Sequence, residues 1–224
     1  MPKYLAELIG TFALLFCGTG AVMVNELSGG AVTHLGISIV FGFVVMVVVY
    51  SVGFISGAHI NPAVTIAFAA SGALPKREVV PYILAQLAGA LLASGALRLL
   101  FPDAITMGET LPTGSVLQSF VLEVILTFLL MFVIFQVVTG PPENLVMAGF
   151  IIGMAVMLLA LFGGPISGAS MNPARSVAPA IVAGKLQHLW IYIVAPVLGA
   201  LGSYGAHRVI TMGEASLRSD EDAN

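Results

Sequence analysis

Charge is the first scarcity. Lys, Arg, Asp and Glu together make up 8% of the 224 residues, against roughly 25% in soluble globular domains. Hydrophobic residues make up 58%, and mean hydropathy is +1.05. A fold surrounded by water cannot cover its surface with so few charges, so the lipid bilayer is the expected first partner. Eight Lys and Arg against eleven Asp and Glu leave no basic footprint, which excludes nucleic acid. One cysteine, Cys17, excludes a disulfide framework within the chain and a Cys-rich zinc site. The four histidines have no metal-ligand spacing, and neither a Gly-rich phosphate loop ending in Lys nor a G-x-S-x-G elbow occurs. No metal, no cofactor and no enzyme chemistry is called for.

What is present is apolar length. Six segments stand out: 4–24, 33–52, 79–100, 115–138, 145–161 and 189–210. At about 1.5 Å per residue each spans, or nearly spans, a hydrocarbon core of about 30 Å. Lys3 followed by an apolar run resembles a secretory signal, but Glu7 inside the run argues for retained structure. Gly and Pro punctuate the joints, among them Gly29-Gly30, Gly140-Pro141-Pro142 and Gly163-Gly164-Pro165. The polar, acidic tail 213–224 is expected to be a disordered cytoplasmic end, leaving 1–212 as one transmembrane domain. Cys17 and the ten methionines read as packing residues.

Two stretches break the six-span count. Each holds a short apolar run after an Asn-Pro pair, and about ten residues of helix cover only about 15 Å, half a membrane. These read as re-entrant half-helices.

The chain also repeats itself. Glu7-x3-Thr11-Phe12 returns as Glu123-x3-Thr127-Phe128, SGAHINPAVT at 56–65 returns as SGASMNPARS at 167–176, and Tyr82 returns as Tyr192. Three landmarks in register mark an internal duplication, with copies at about 4–100 and 115–210. Three spans per copy is an odd number, so the second copy sits inverted. Inverted repeats place their site near the midplane, where broken helices meet. Lys3, Lys76, Arg77, Arg208 and Arg218 fall on one side and Arg98 and Lys185 on the other, which predicts both termini in the cytoplasm.

The Asn-Pro pairs carry the chemistry. Asn suits a helix N-cap and Pro the first helical position. If the carbonyl oxygens of Asn61 and Asn172 cap their own helices, both amide NH2 groups stay free to donate outward. Two positive helix ends at the membrane centre then disfavour a cation and leave neutral acceptors welcome. The loops before them, Gly57, Ala58, His59, Ile60 and Gly168, Ser170, Met171, are non-helical at membrane depth, tolerated only against protein or a water-filled cavity. Their carbonyls are expected to line a polar stripe. Arg175, in the first turn of the second half-helix, is costly both for the macrodipole and for the bilayer. Its counterpart in the first copy is Val64, so symmetry did not require it. It reads as a pore residue that donates to solutes and repels cations. Glu7 and Glu123 read either as a proton relay or, favoured by their symmetric placement, as structural acceptors for the broken loops. Gly149-x3-Gly153 suggests close helix contact within the bundle.

These motifs resemble those of the aquaporin and aquaglyceroporin channels, the major intrinsic proteins, over nearly the whole chain. The two boxes Asn61-Pro62-Ala63 and Asn172-Pro173-Ala174, with Arg175 three residues after the second Asn, are highly specific. The resemblance implies an all-α membrane protein of six transmembrane helices plus two half-helices, a pore in each subunit, and a homotetramer in a plasma or inner membrane. By spacing it implies a selectivity constriction of Phe41, Ala160, Ala169 and Arg175. Water-selective members usually have His where Ala160 stands, and glycerol facilitators an Asp where Ser176 stands. The stretch 163–176 is close to plant nodulin-26-like proteins, which typically have Trp at the place of Phe41. Phe54 departs from a common family His.

Two alanines facing Phe41 predict a constriction wider than one water. The expected function is a passive channel for water and small uncharged polyhydroxy solutes such as glycerol, extending to boric, silicic or arsenous acid. A water-selective channel is the nearest rival. An ion-coupled transporter would need a titrating Glu7 or Glu123, and a junction protein gives no reason for Arg175.

Overall fold

The computed structural model describes residues 1–221. The described elements are helices joined by turns and loops: α1 Pro2–Leu27, α2 Thr33–Ser56, α3 Pro62–Ser71, α4 Val79–Leu100, α5 Val116–Thr139, the short α6 Pro142–Val146, α7 Ala148–Ser167, α8 Pro173–Ala183 and α9 Leu189–Glu221. Six are long and apolar enough to cross a membrane, while α3 and α8 span about half of one. Side chains such as Leu5, Leu84, Leu92, Leu117 and Leu158 point outward. In water such an apolar belt would be an aggregation liability; against lipid it is the required solvent-facing surface.

The duplication appears as paired packing. α1 packs on α2 and α4, as α5 packs on α7 and α9, and α3 lies against α9 as α8 lies against α4. Small residues set the spacing. A Cβ on Gly89 would lie 2.2 Å from the Leu8 carbonyl oxygen, and one on Gly199 lies 2.3 Å from that of Val124. Those distances leave no room for even a methyl group, so α4 and α9 meet α1 and α5 backbone to backbone. Gly42 and Gly153 do the same between α2 and α7, so the Gly149-x3-Gly153 pair works within this bundle.

Three expectations change. α7 does not end in a loop at Gly163-Gly164-Pro165 but continues as helix to Ser167. Pro165 cannot donate to the Leu161 carbonyl, yet His34 Nε2 lies 2.8 Å from that oxygen and replaces the missing donor. Cys17 is exposed on α1 rather than packed. The tail from 213 continues α9 through Glu221, since extending a formed helix costs far less than starting one; 222–224 lie outside the described residues. Lys3 pairs with Glu78 at 2.8 Å, beside Lys76 and Arg77, and at the opposite end Arg98 donates to the Ala104 carbonyl at 3.1 Å.

Candidate functional site

Each half-helix is preceded by a strained loop, and the two loops repeat one conformation. Gly57, Ala58 and Ile60 have φ of 87°, 47° and 44°, and Gly168, Ala169 and Met171 have 85°, 41° and 52°. Gly adopts this region freely, but a β-branched residue such as Ile60 is a genuine outlier there. Each such non-Gly residue costs about 1–3 kcal/mol and persists only where its surroundings impose it.

The buried carboxylates impose it. Glu7 Oε1 accepts from Ser56 Oγ at 2.7 Å and the His59 amide at 2.8 Å. Its Oε2 accepts from the Ile60 amide at 2.7 Å and Gln86 Nε2 at 2.8 Å. Glu123 accepts from Ser167 Oγ at 2.7 Å and from the amides of Ser170 and Met171, both at 2.8 Å. Hydrogen bonds to a charged group contribute about 1.5–3 kcal/mol each, so two amide bonds per loop offset its strain. Tyr82 and Tyr192 add a hydroxyl to the Ser56 and Ser167 carbonyls at 2.9 and 2.8 Å. His59 turns its ring away to Thr65 Oγ1, at 3.1 Å, and stacks on Phe68.

Extended backbone at Asn61 and Asn172 starts the half-helices. Asn61 Oδ1 accepts from the Ala63 amide at 2.9 Å, and Asn172 Oδ1 from those of Ala174 and Arg175 at 3.0 and 3.4 Å. The amide donors are not wholly free, a correction to the outward-pointing expectation. Asn61 Nδ2 donates to the Met171 carbonyl at 2.7 Å, and Asn172 Nδ2 to the Ile60 carbonyl at 2.8 Å. The halves are thus stitched together at their centre, and the second lone pair of each of these two carbonyls remains for the cavity that Ile60 and Met171 line. An NH2 group has two donors, so one N–H of each Asn remains for the cavity that both residues line.

That cavity has a volume of about 560 Å³ and extends from the half-helix junction toward Tyr50, Phe54 and Leu145. A second, of about 250 Å³, opens on the other side toward His34, Gly108 and Glu109. Four residues line both: Phe41, Ala160, Ala169 and Arg175. The two spaces meet across this ring, with Ala160 and Ala169 contributing only methyl groups. Arg175 is 5% exposed, lies over the Phe41 ring at 5.1 Å from its centroid, and donates to the Gly108 carbonyl at 2.6 Å. One guanidinium N–H is thereby used, and a guanidinium has five.

The sequence reading missed the loop that supplies this carbonyl. Residues 101–115 return over the outer cavity, where Gly108 takes φ of 67° and Thr110 bonds Ser176 at 2.6 Å, which bonds Ser170 at 2.6 Å. Burial raises the Glu109 carboxyl, but the Lys185 hydrogen bond and the Met107 amide outweigh it and hold it below the usual carboxylate range. The positive-φ glycine was the only local signal.

The model of the family described as Major intrinsic protein matches residues 1–205. The chain belongs to that family. As a major intrinsic protein it is a membrane channel, not an enzyme. Aquaporin NIP1-1 of Zea mays is 50% identical over 219 residues, covering 97% of this chain and 78% of that protein. Nodulin-26 of Glycine max is 47% identical over 211 residues, covering 94% and 78%. The X-ray structure of the aquaglyceroporin from Plasmodium falciparum superposes with a TM-score of 0.84 at 24% identity, covering 93% of this chain and 96% of that one, which shows the shared fold.

Within this channel the place of Phe41 depends on Gly18. A Cβ on Gly18 would lie 2.3 Å from Phe41 Cε1, and Phe41 lines both cavities where they share residues. Gly18→Ala is therefore expected to push the ring inward and lower glycerol permeability about tenfold, a barrier change near 1.4 kcal/mol. Water permeability falls less. Stopped-flow light scattering on vesicles checks this, and equal losses for both solutes contradict it.

Proposed function

We propose that this channel conducts water and small uncharged polyhydroxy solutes, glycerol among them, and excludes protons and ions. The observation that carries the reading is the shared ring of Phe41, Ala160, Ala169 and Arg175. It has one apolar wall, one donor wall and two methyl-sized corners, which suit a solute with both C–H and O–H faces. Uncharged hydroxides such as boric, silicic or arsenous acid fit the same chemistry. The boxes Asn61-Pro62-Ala63 and Asn172-Pro173-Ala174 are the central donors. The carbonyls of Gly57, Ala58, His59, Ile60, Gly168, Ser170 and Met171 serve as acceptors along the route. Glu7 and Glu123 hold those loops and do not transfer protons. Residues 1–212 act as one channel domain. Family membership supports a homotetramer with a pore in each subunit. The excess of Lys3, Lys76, Arg77 and Arg208 at one end supports a plasma or inner membrane location with both termini cytoplasmic.

Ala160→His tests the filter. An imidazole across from Phe41 fills the space that passes glycerol, so glycerol permeability is expected to fall about tenfold or more while water stays within about threefold. Undiminished glycerol flux in this variant contradicts the placement of the constriction.

A further inference from the structure

The outer cavity contains one histidine that the pore reading does not use. His34 opens α2, and its Nε2 meets the Leu161 carbonyl at 2.8 Å. That carbonyl is the one Pro165 leaves without its helical donor. Gly164 completes the arrangement, since a Cβ there would lie 2.5 Å from His34 Cε1. Proline exposes the acceptor, glycine admits the ring, and histidine supplies the N–H. The joint lies one residue after Ala160 and eight before Ala169, both members of the constriction, and His34 and Gly164 line the outer cavity with them.

We propose that His34 is a specificity-determining positioning residue of the pore. By donating to Leu161 across 127 residues of sequence, it ties the end of α7 to α2, the helix that carries Phe41. Phe41 on α2 and Ala160 on α7 both line the constriction, so this bond, together with the Gly42–Gly153 contact, fixes how the two helices place them. A polyol is bulkier than water, so its passage is expected to respond more strongly than that of water to a shift between these helices. The inference rests on the proposed polyol conduction.

The experiment measures the ratio of glycerol to water permeability in vesicles holding wild-type protein, H34A, H34Q, P165A or H34A/P165A. Wild-type glycerol flux is read first, and its absence overturns both the polyol reading and this one. With glycerol flux present, H34A is expected to lower the ratio about threefold or more with water held within about twofold. H34Q, whose amide reaches the same carbonyl, recovers most of it. P165A restores a backbone N–H to Leu161, so adding H34A to it is expected to change nothing further, a coupling that a merely bulky role for the ring would not show. An unchanged ratio in H34A, or a full H34A effect in the P165A background, overturns the role of His34 while leaving polyol conduction standing. If H34A alone does not fold, a folded H34A/P165A with the P165A ratio supports the proposal, and failure of the double variant to fold overturns it.

Discussion

Glu123→Ala is expected to collapse the second pore loop and abolish solute flux. The substitution strands three buried donors, Ser167 Oγ and the amides of Ser170 and Met171. Buried donors left unsatisfied cost about 1–3 kcal/mol each, so the loss is on the order of 5 kcal/mol. Total stabilities of about 5–15 kcal/mol make that a large fraction, and the strain at Ala169 and Met171 is then unopposed. In a thermal melt of the detergent-solubilised protein the midpoint falls by about 10–20 °C. Glu123→Gln separates the structural role from a proton relay. Its amide oxygen replaces Oε1, which holds two of the three donors, and only the Met171 amide faces the new NH2 group. A cost of about 2 kcal/mol and retained flux are expected. Lost flux in a Glu123→Gln protein that melts like the wild type would show that the carboxylate acts in transport. Glu7, with four donors, follows the same pattern.

Arg175→Val, which gives the second half-helix the residue that Val64 provides in the first, is expected to open the pore to cations. Two unit charges about 4 Å apart repel by about 4 kcal/mol at an effective dielectric of 20. A passing ion stays somewhat farther away and the positive ends of α3 and α8 remain, so part of the barrier survives. The leak of protons or sodium is expected to rise about a hundredfold, equivalent to about 2.7 kcal/mol, with neutral-solute flux kept. Dye-loaded vesicles under a pH or sodium gradient measure it. An unchanged leak would assign ion exclusion to the half-helix dipoles alone.

How much of this the sequence disclosed depended on whether the cause was local. The half-helices were legible because Asn and Pro act on the residues beside them, capping and starting α3 and α8. Spacing relative to Asn61 and Asn172, given the resemblance of the two boxes, pointed to Phe41, Ala160, Ala169 and Arg175, and these four residues line both cavities. Long-range partners were not. Pro165 looks like a helix terminator until His34, far away in sequence, supplies the missing donor. The Gly108 carbonyl that anchors Arg175 belongs to a loop whose own residues announce only a turn. The crossing of Asn61 and Asn172 amides to the opposite loop required knowing how closely the two halves approach, which Gly42 and Gly153 permit but do not specify. Cys17 was misplaced because an apolar helix reads the same on its lipid and protein faces.

The most direct test of the account is the response of wild-type protein in vesicles carrying a proton-sensitive dye. A sucrose jump followed by a glycerol jump is tracked by light scattering. Rapid shrinkage in sucrose, rapid re-swelling in glycerol and an unmoved dye signal are the predicted result. Rapid shrinkage without glycerol re-swelling would contradict it, placing the ring of Phe41, Ala160, Ala169 and Arg175 in a pore that passes water alone.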